Sequence, residues 1–157
     1  MGLVVGLLVL MVIGASYQVI ATEIDRRSFQ PRGQMLAVNG HAMHLGCKGQ
    51  GSPAVILQAG GAADSLGWQR IQNNLSAHTR VCAYDRPGHG WSEPTTDSRD
   101  ADSIVAELRS LLQKAGVPPP YVMAGHSLGA QITQSRSARG WNLPKPPPAL
   151  KTWATCH

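Results

Sequence analysis

Acidic residues, aromatics and cysteines are all scarce in this 157-residue chain, and each shortage narrows its chemistry. With a single Phe and no basic stripe interleaved with aromatics, nucleic acid is not an expected partner. Cys47, Cys82 and Cys156 form no C-x-x-C and no zinc-type spacing, so thiolate metal sites are excluded. Cys47 and Cys82 read as small residues of buried strands. Residues 131–157 lack Asp and Glu altogether but hold Arg136, Arg139, Lys145 and Lys151. Most of the formal charge of +5 therefore belongs to the tail and describes no basic face elsewhere. His41 and His44 share a short apolar run without a third partner at ligand spacing, and are expected to be exposed strand residues. No cofactor and no metal is implied.

Charge is also missing from Gly2 to Ala21, a run of mostly Leu, Val, Ile, Gly and Met. Its length is close to the roughly 20 residues that cross a bilayer core. We read residues 2–22 as an uncleaved anchor that tethers the protein to a membrane. The alternative is a secretory signal, with an apolar core ending near Ala15 and cleavage after Val19-Ile20-Ala21. Either reading places the protein in a cell envelope, membrane-anchored or exported. Residues 23–33, with Arg26, Arg27 and Arg32, read as an irregular charged linker.

The remainder has a composition suited to one core. Met35 to Val38 and His41 to Cys47 flank Asn39-Gly40, the strongest short-range signal for a tight hairpin. Ala54 to Gln58 is a short buried strand ending in the loop Ala59-Gly60-Gly61-Ala62-Ala63. Asp64 or Ser65 is the expected cap of a helix that places Trp68, Ile71 and Leu75 on one face. Arg80 to Tyr84 is the next strand. A longer helix starts at Asp102 or Ser103, with Ile104, Val105, Leu108, Leu111, Leu112 and Ala115 as its apolar stripe; Gly116 and Pro118 stop it. Strands alternating with helices predict an α/β fold with a parallel sheet, entered through an antiparallel hairpin.

The chain is organised around Tyr121 to Ala130. Tyr121 to Ala124 reads as a buried strand, and Gly125-His126-Ser127-Leu128-Gly129 matches G-x-S-x-G, in which a serine sits on a sharp strand-to-helix turn. The glycines have a steric reason, since a Cβ two residues either side of the serine would meet neighbouring backbone. The turn lifts Ser127 clear of the sheet, next to the positive end of the following helix.

Three segments, Ile56 to Trp68, Tyr84 to Ser92 and Tyr121 to Ala130, together resemble the N-terminal half of the α/β-hydrolase fold. Asp85-Arg86-Pro87-Gly88-His89-Gly90-Trp91-Ser92 is similar to the D-x-R-G-x-G-x-S loop after that fold's fourth strand. The style is that of bacterial esterases, lipases and haloperoxidase-like serine hydrolases. The resemblance implies a small-molecule acyl substrate, with Ser127 as nucleophile forming an acyl-enzyme. It implies backbone N–H donors for the oxyanion on Leu128 and on Gly61, with Ala59 where the family has His. Serine rather than aspartate at the elbow points to ester, thioester or amide hydrolysis. The family order, with nucleophile before acid before histidine, leaves His89 and His126 unsuited as general base. The same strand order makes the second and fourth strands neighbours, so Cys47 and Cys82 would face each other, bonded in an oxidising compartment or as packed thiols.

After Ala130 the family pattern stops. Residues 34–130 thus read as a partial hydrolase domain, and residues 131–157 as a divergent, basic, Pro-rich and disordered tail with the composition of a shifted frame or truncated product. No acid follows Ser127, and the only later histidine is His157. The expectation is a serine hydrolase that is weakly active or inactive alone. The competing reading is a non-catalytic, membrane-tethered α/β module whose Pro-rich tail binds a partner.

Overall fold

The computed structural model describes residues 2–28 and 31–135. They fall into two units, divided between residues 32 and 33.

The first unit is a helix, α1 (Gly2–Ser28). Its stretch Gly2–Asp25 is long and apolar enough to cross a membrane. Ser16 and Thr22, which interrupt the apolar run, turn their hydroxyls back onto the carbonyls of Val12 (2.8 Å) and Gln18 (2.7 Å). Their hydroxyls are thereby hydrogen-bonded within the helix. The charged segment expected to be irregular instead continues this helix through Ser28. Glu and Arg are good helix formers, and adding a turn to an existing helix costs far less than nucleating one.

The second unit is a five-stranded sheet with helices against it. Its elements are β1 (Gln34–Val38), β2 (His41–Lys48), β3 (Ala54–Gln58), a 3₁₀ turn (Ser65–Trp68), α2 (Gln69–Leu75), β4 (Val81–Tyr84), α3 (Ala101–Lys114), β5 (Tyr121–Gly125) and α4 (Leu128–Gln134). The spatial order is β1-β2-β4-β3-β5. β1, β2 and β4 run antiparallel in turn, while β3 is parallel to both β4 and β5. The fold is α/β, with the hairpin leading into parallel strands. At the hairpin, Asn39 and Gly40 both take positive φ (50° and 88°), the geometry that matches the twist of the flanking strands.

One sheet face presents Val38, Met43, Leu45, Ile56, Cys82 and Tyr84 to the stripe of α3, where Ile104, Val105, Leu108, Leu111 and Leu112 are buried. The other face carries Leu57, Val81 and Ala83, with Trp68 packed on them. Asp100, rather than Asp102 or Ser103, caps α3, accepting from the Ser103 N–H at 2.8 Å. Glu107 is buried on α3 and takes both carboxylate oxygens to Arg99 Nη1, at 2.9 and 3.0 Å. Asp64 caps the 3₁₀ turn. In α2 the inward residue is Gln72, whose amide donates to the carbonyls of Gly46 and Val81, whereas Ile71 and Leu75 are exposed.

One expectation about single residues is corrected, and one open alternative is decided. His41 and His44 are buried, because β2 lies inside the sheet beneath the loop that follows β4. Cys47 and Cys82 stand directly opposite each other in the β2–β4 register and form a disulfide, with Cys47 on the exposed side. Residues 131–134, placed with the tail on composition, continue α4 and bury Ile132. The Pro-rich segment and His157 lie outside the described residues.

Candidate active site

The site lies where the C-terminal ends of β3, β4 and β5 release their loops, the usual position for ligand chemistry on a parallel sheet. β5 ends at Gly125, and the chain reverses into α4 within His126 and Ser127. Ser127 has φ 53° and ψ −123°, a backbone region that side chains rarely occupy. The flanking glycines make the reversal possible. A Cβ on Gly125 would lie inside contact distance of the Gly129 carbonyl and the Ala130 nitrogen. One on Gly129 would strike the carbonyl oxygens of Gln58 and Ala59. The turn is closed by the Gly129 N–H on the His126 carbonyl and the Ala130 N–H on the Ser127 carbonyl, both at 2.9 Å. Ser127 is exposed at its apex. Leu128 opens α4, so its N–H falls outside the helix's own bonding.

The loop after β3 lies against this turn. The His126 N–H donates to the Gln58 carbonyl at 3.2 Å, tying elbow and strand end together. A Cβ built on Gly60 would stand 3.1 Å from His126 Nδ1 and 3.6 Å from the Ser127 Cβ. One on Gly61 would stand 3.7 Å from Leu128 Cδ2. Ser127, Gly61 and Leu128, picked out separately in the sequence, are thus neighbours. His126 is exposed beside the serine, and His89 is turned onto the loop backbone, with Nε2 2.8 Å from the Gly61 carbonyl.

Beneath the loop, Arg86 is almost wholly buried and spends its guanidinium on three consecutive carbonyls. Nη1 donates to Ala59 at 2.5 Å, while Nη2 donates to Gly60 and, at 3.2 Å, to Gly61. Next to it, Asp85 is fully buried. Its carboxylate receives the Ser65 N–H at 2.6 Å and the Trp91 N–H at 3.2 Å, and lies 2.9 Å from His44 Nδ1. Burial alone opposes its charge, but the bonds from His44, Ser65 and Trp91 outweigh it and hold the carboxyl below its usual range. Ser92 completes the knot, donating to the Asp85 carbonyl at 2.7 Å and accepting the His44 N–H at 2.9 Å. Gly90, at φ 50°, passes so close to the carboxylate that a Cβ would collide with it. The Asp85–Ser92 loop is therefore a rigid support for the β3 loop.

A cavity of about 230 Å³ opens beside this loop and the elbow, lined in part by Gly61, Leu128, Ile104, His89 and Arg99. Among the described residues no cluster of three or more His, Cys, Asp or Glu side chains is placed to hold a metal. Arg86, Asp85 and His44 were not singled out as site residues from sequence. The signal for Arg86 and Asp85 was their place in a glycine-rich loop between an apolar strand and a polar segment. For His44 there was none.

A family model described as alpha/beta hydrolase fold matches residues 53–135. An AB hydrolase superfamily protein of Gibberella zeae is 39% identical over 95 residues, which is 60% of this chain and 29% of that protein. An epoxide hydrolase mutant from Vigna radiata is similar in structure (TM-score 0.58, 29% identity), covering 63% of this chain and 31% of the other. An enol-lactonase from Burkholderia xenovorans LB400 gives TM-score 0.58 at 25% identity, over 63% of this chain and 39% of that one. The chain spans about a third of the length of the curated relatives it matches.

Proposed function

This chain belongs to the α/β-hydrolase fold family, and from that premise we propose that Ser127 is the nucleophile of a hydrolytic site for small acyl substrates. One observation carries the reading: a serine at positive φ on a glycine-flanked elbow, with the Gly60–Gly61 backbone laid against it. Ser127 Oγ attacks the acyl carbonyl of an ester, thioester or amide. The oxyanion is met by the N–H groups of Leu128 and Gly61. Collapse expels the alcohol, thiol or amine and leaves an acyl-serine, which water then hydrolyses. The lactonase likeness supports this chemistry, since a lactone is an internal ester. The epoxide hydrolase likeness supports it less, because a serine stands at the elbow here and not a carboxylate.

Attack and deacylation both draw on a base. An activated ester asks least of that base, so acylation by it is expected to outrun deacylation. α1 serves as a membrane anchor or export signal, and the Cys47–Cys82 bond agrees with an oxidising compartment.

The test is p-nitrophenyl acetate added to the whole chain in detergent micelles. Release of nitrophenol in a single burst, with an acetyl group on Ser127 in the digested protein, is the expected result. No acetylation of Ser127, or the same nitrophenol release from Ser127→Ala, overturns the reading.

A further inference from the structure

We propose that Arg86 is the positioning residue of the oxyanion loop, holding its carbonyls so that the Gly61 N–H faces the acyl oxyanion. The proposal deepens, and rests on, the assignment of Ser127 as nucleophile. Residues 59–61 are Ala-Gly-Gly, a segment almost without side chains and with the greatest backbone freedom a chain can have. A segment like this cannot hold a donor in place by its own packing, yet an oxyanion donor is effective only when fixed in advance. Within the loop the Ala63 N–H reaches the Gly60 carbonyl at 3.2 Å, and the rest of the order is supplied from outside.

Arg86 supplies it through peptide geometry. In a trans peptide the C=O and the N–H of one plane point in opposite directions. The Gly61 N–H shares its plane with the Gly60 carbonyl, and that carbonyl is held by Arg86 Nη2. Fixing the oxygen on the buried side therefore turns the Gly61 N–H to the opposite side of the same plane. The neighbouring planes are fixed from the same guanidinium, through Ala59 at 2.5 Å and Gly61 at 3.2 Å. His89 clamps the Gly61 carbonyl from a second direction at 2.8 Å; because a carbonyl can only accept, Nε2 carries the proton. The planar fork is essential. A lysine at this place has the charge but only one point from which to donate, and cannot span three carbonyls in fixed directions. The Arg86 backbone is fixed in its own loop, its carbonyl accepting the His89 N–H at 2.9 Å.

The experiment uses the whole ¹⁵N-labelled chain in detergent micelles, as wild type, Arg86→Lys and Arg86→Met. Backbone order parameters at Gly60 and Gly61 are measured first, then amide shifts on adding phenylboronic acid, which forms a tetrahedral adduct with a nucleophilic serine. In the wild type both glycines are expected to be as rigid as the sheet, with order parameters of about 0.85, and boronate moves the amides of Gly61 and Leu128. In Arg86→Met the glycines fall below about 0.6 and boronate moves Leu128 alone. Its affinity drops roughly a hundredfold, the share one oxyanion donor carries. Arg86→Lys, which keeps the charge without the fork, falls between the two and decides the matter should the methionine variant not fold. Variants that keep both glycines rigid and the Gly61 response at wild-type size overturn the proposal. A wild type in which boronate moves neither amide contradicts the nucleophile assignment instead, and the order parameters still decide the role of Arg86.

Discussion

At φ 53° and ψ −123° the Ser127 backbone carries a cost of about 1–3 kcal/mol for any residue with a Cβ. The elbow keeps that conformation because Gly125 and Gly129 let strand, helix and the β3 loop approach closely around it and His126 is tied to Gln58. Ser127→Gly removes the strain along with the nucleophile. It is expected to raise stability to denaturant by about 1 kcal/mol, net of glycine's greater freedom when unfolded, while abolishing acylation. Asp85 makes a second prediction. Burial disfavours its charge, but hydrogen bonds prevail and lower its folded-state pKa. A lowered pKa means that its stabilisation is complete above the unfolded carboxyl's value of about 4, and is lost as pH falls through the folded value. Denaturant titrations from about pH 5 downward should show stability falling below about pH 4, with a flatter acid limb in Asp85→Asn. Ser127 was legible in sequence because a local pattern names it. Asp85 and His44 were not, because they lie 41 residues apart and their contact needs the β2–β4 register.

At the scale of elements, the sequence carried most of the architecture because local rules and packing agree. Asn39-Gly40 prescribes its own turn, and the α3 stripe has the period of a helix lying on a sheet. The failures have a common cause in groups whose surroundings are non-local. Gln72 lies off the Trp68-Ile71-Leu75 face expected to pack, yet it points inward, because its amide donates to two strand carbonyls, Gly46 and Val81. Glu107 interrupts the apolar stripe because Arg99 reaches it from outside the helix. The β2–β4 pair adds a covalent link between residues 35 positions apart. Closing a loop of that length in the unfolded chain stabilises by about 2–4 kcal/mol. Reduction, or Cys47→Ser with Cys82→Ser, is expected to lower the unfolding free energy by that much, and the denaturation midpoint with it, while leaving the far-ultraviolet dichroism native. An unchanged midpoint would show that the two thiols are not bonded in solution.

For the whole molecule, an apolar helix precedes a unit in which the proposed nucleophile Ser127 and the proposed donors on Gly61 and Leu128 meet at the C-terminal ends of the parallel strands. Family membership was readable from the three motif segments, since each is a short stretch whose residues are fixed by local sterics. Substrate identity was not, because a cavity is lined by residues drawn from many elements, here from Gly61 to Leu128. The most direct test of the central claim is a fluorophosphonate added to the whole 157-residue chain, with the adduct mapped by mass spectrometry. The account predicts one phosphonyl group per chain, on Ser127, absent from Ser127→Ala and slower to form in Arg86→Met. A chain that stays unlabelled, or one that labels equally without Ser127, contradicts it and leaves an α/β module with an N-terminal apolar helix and no catalytic serine.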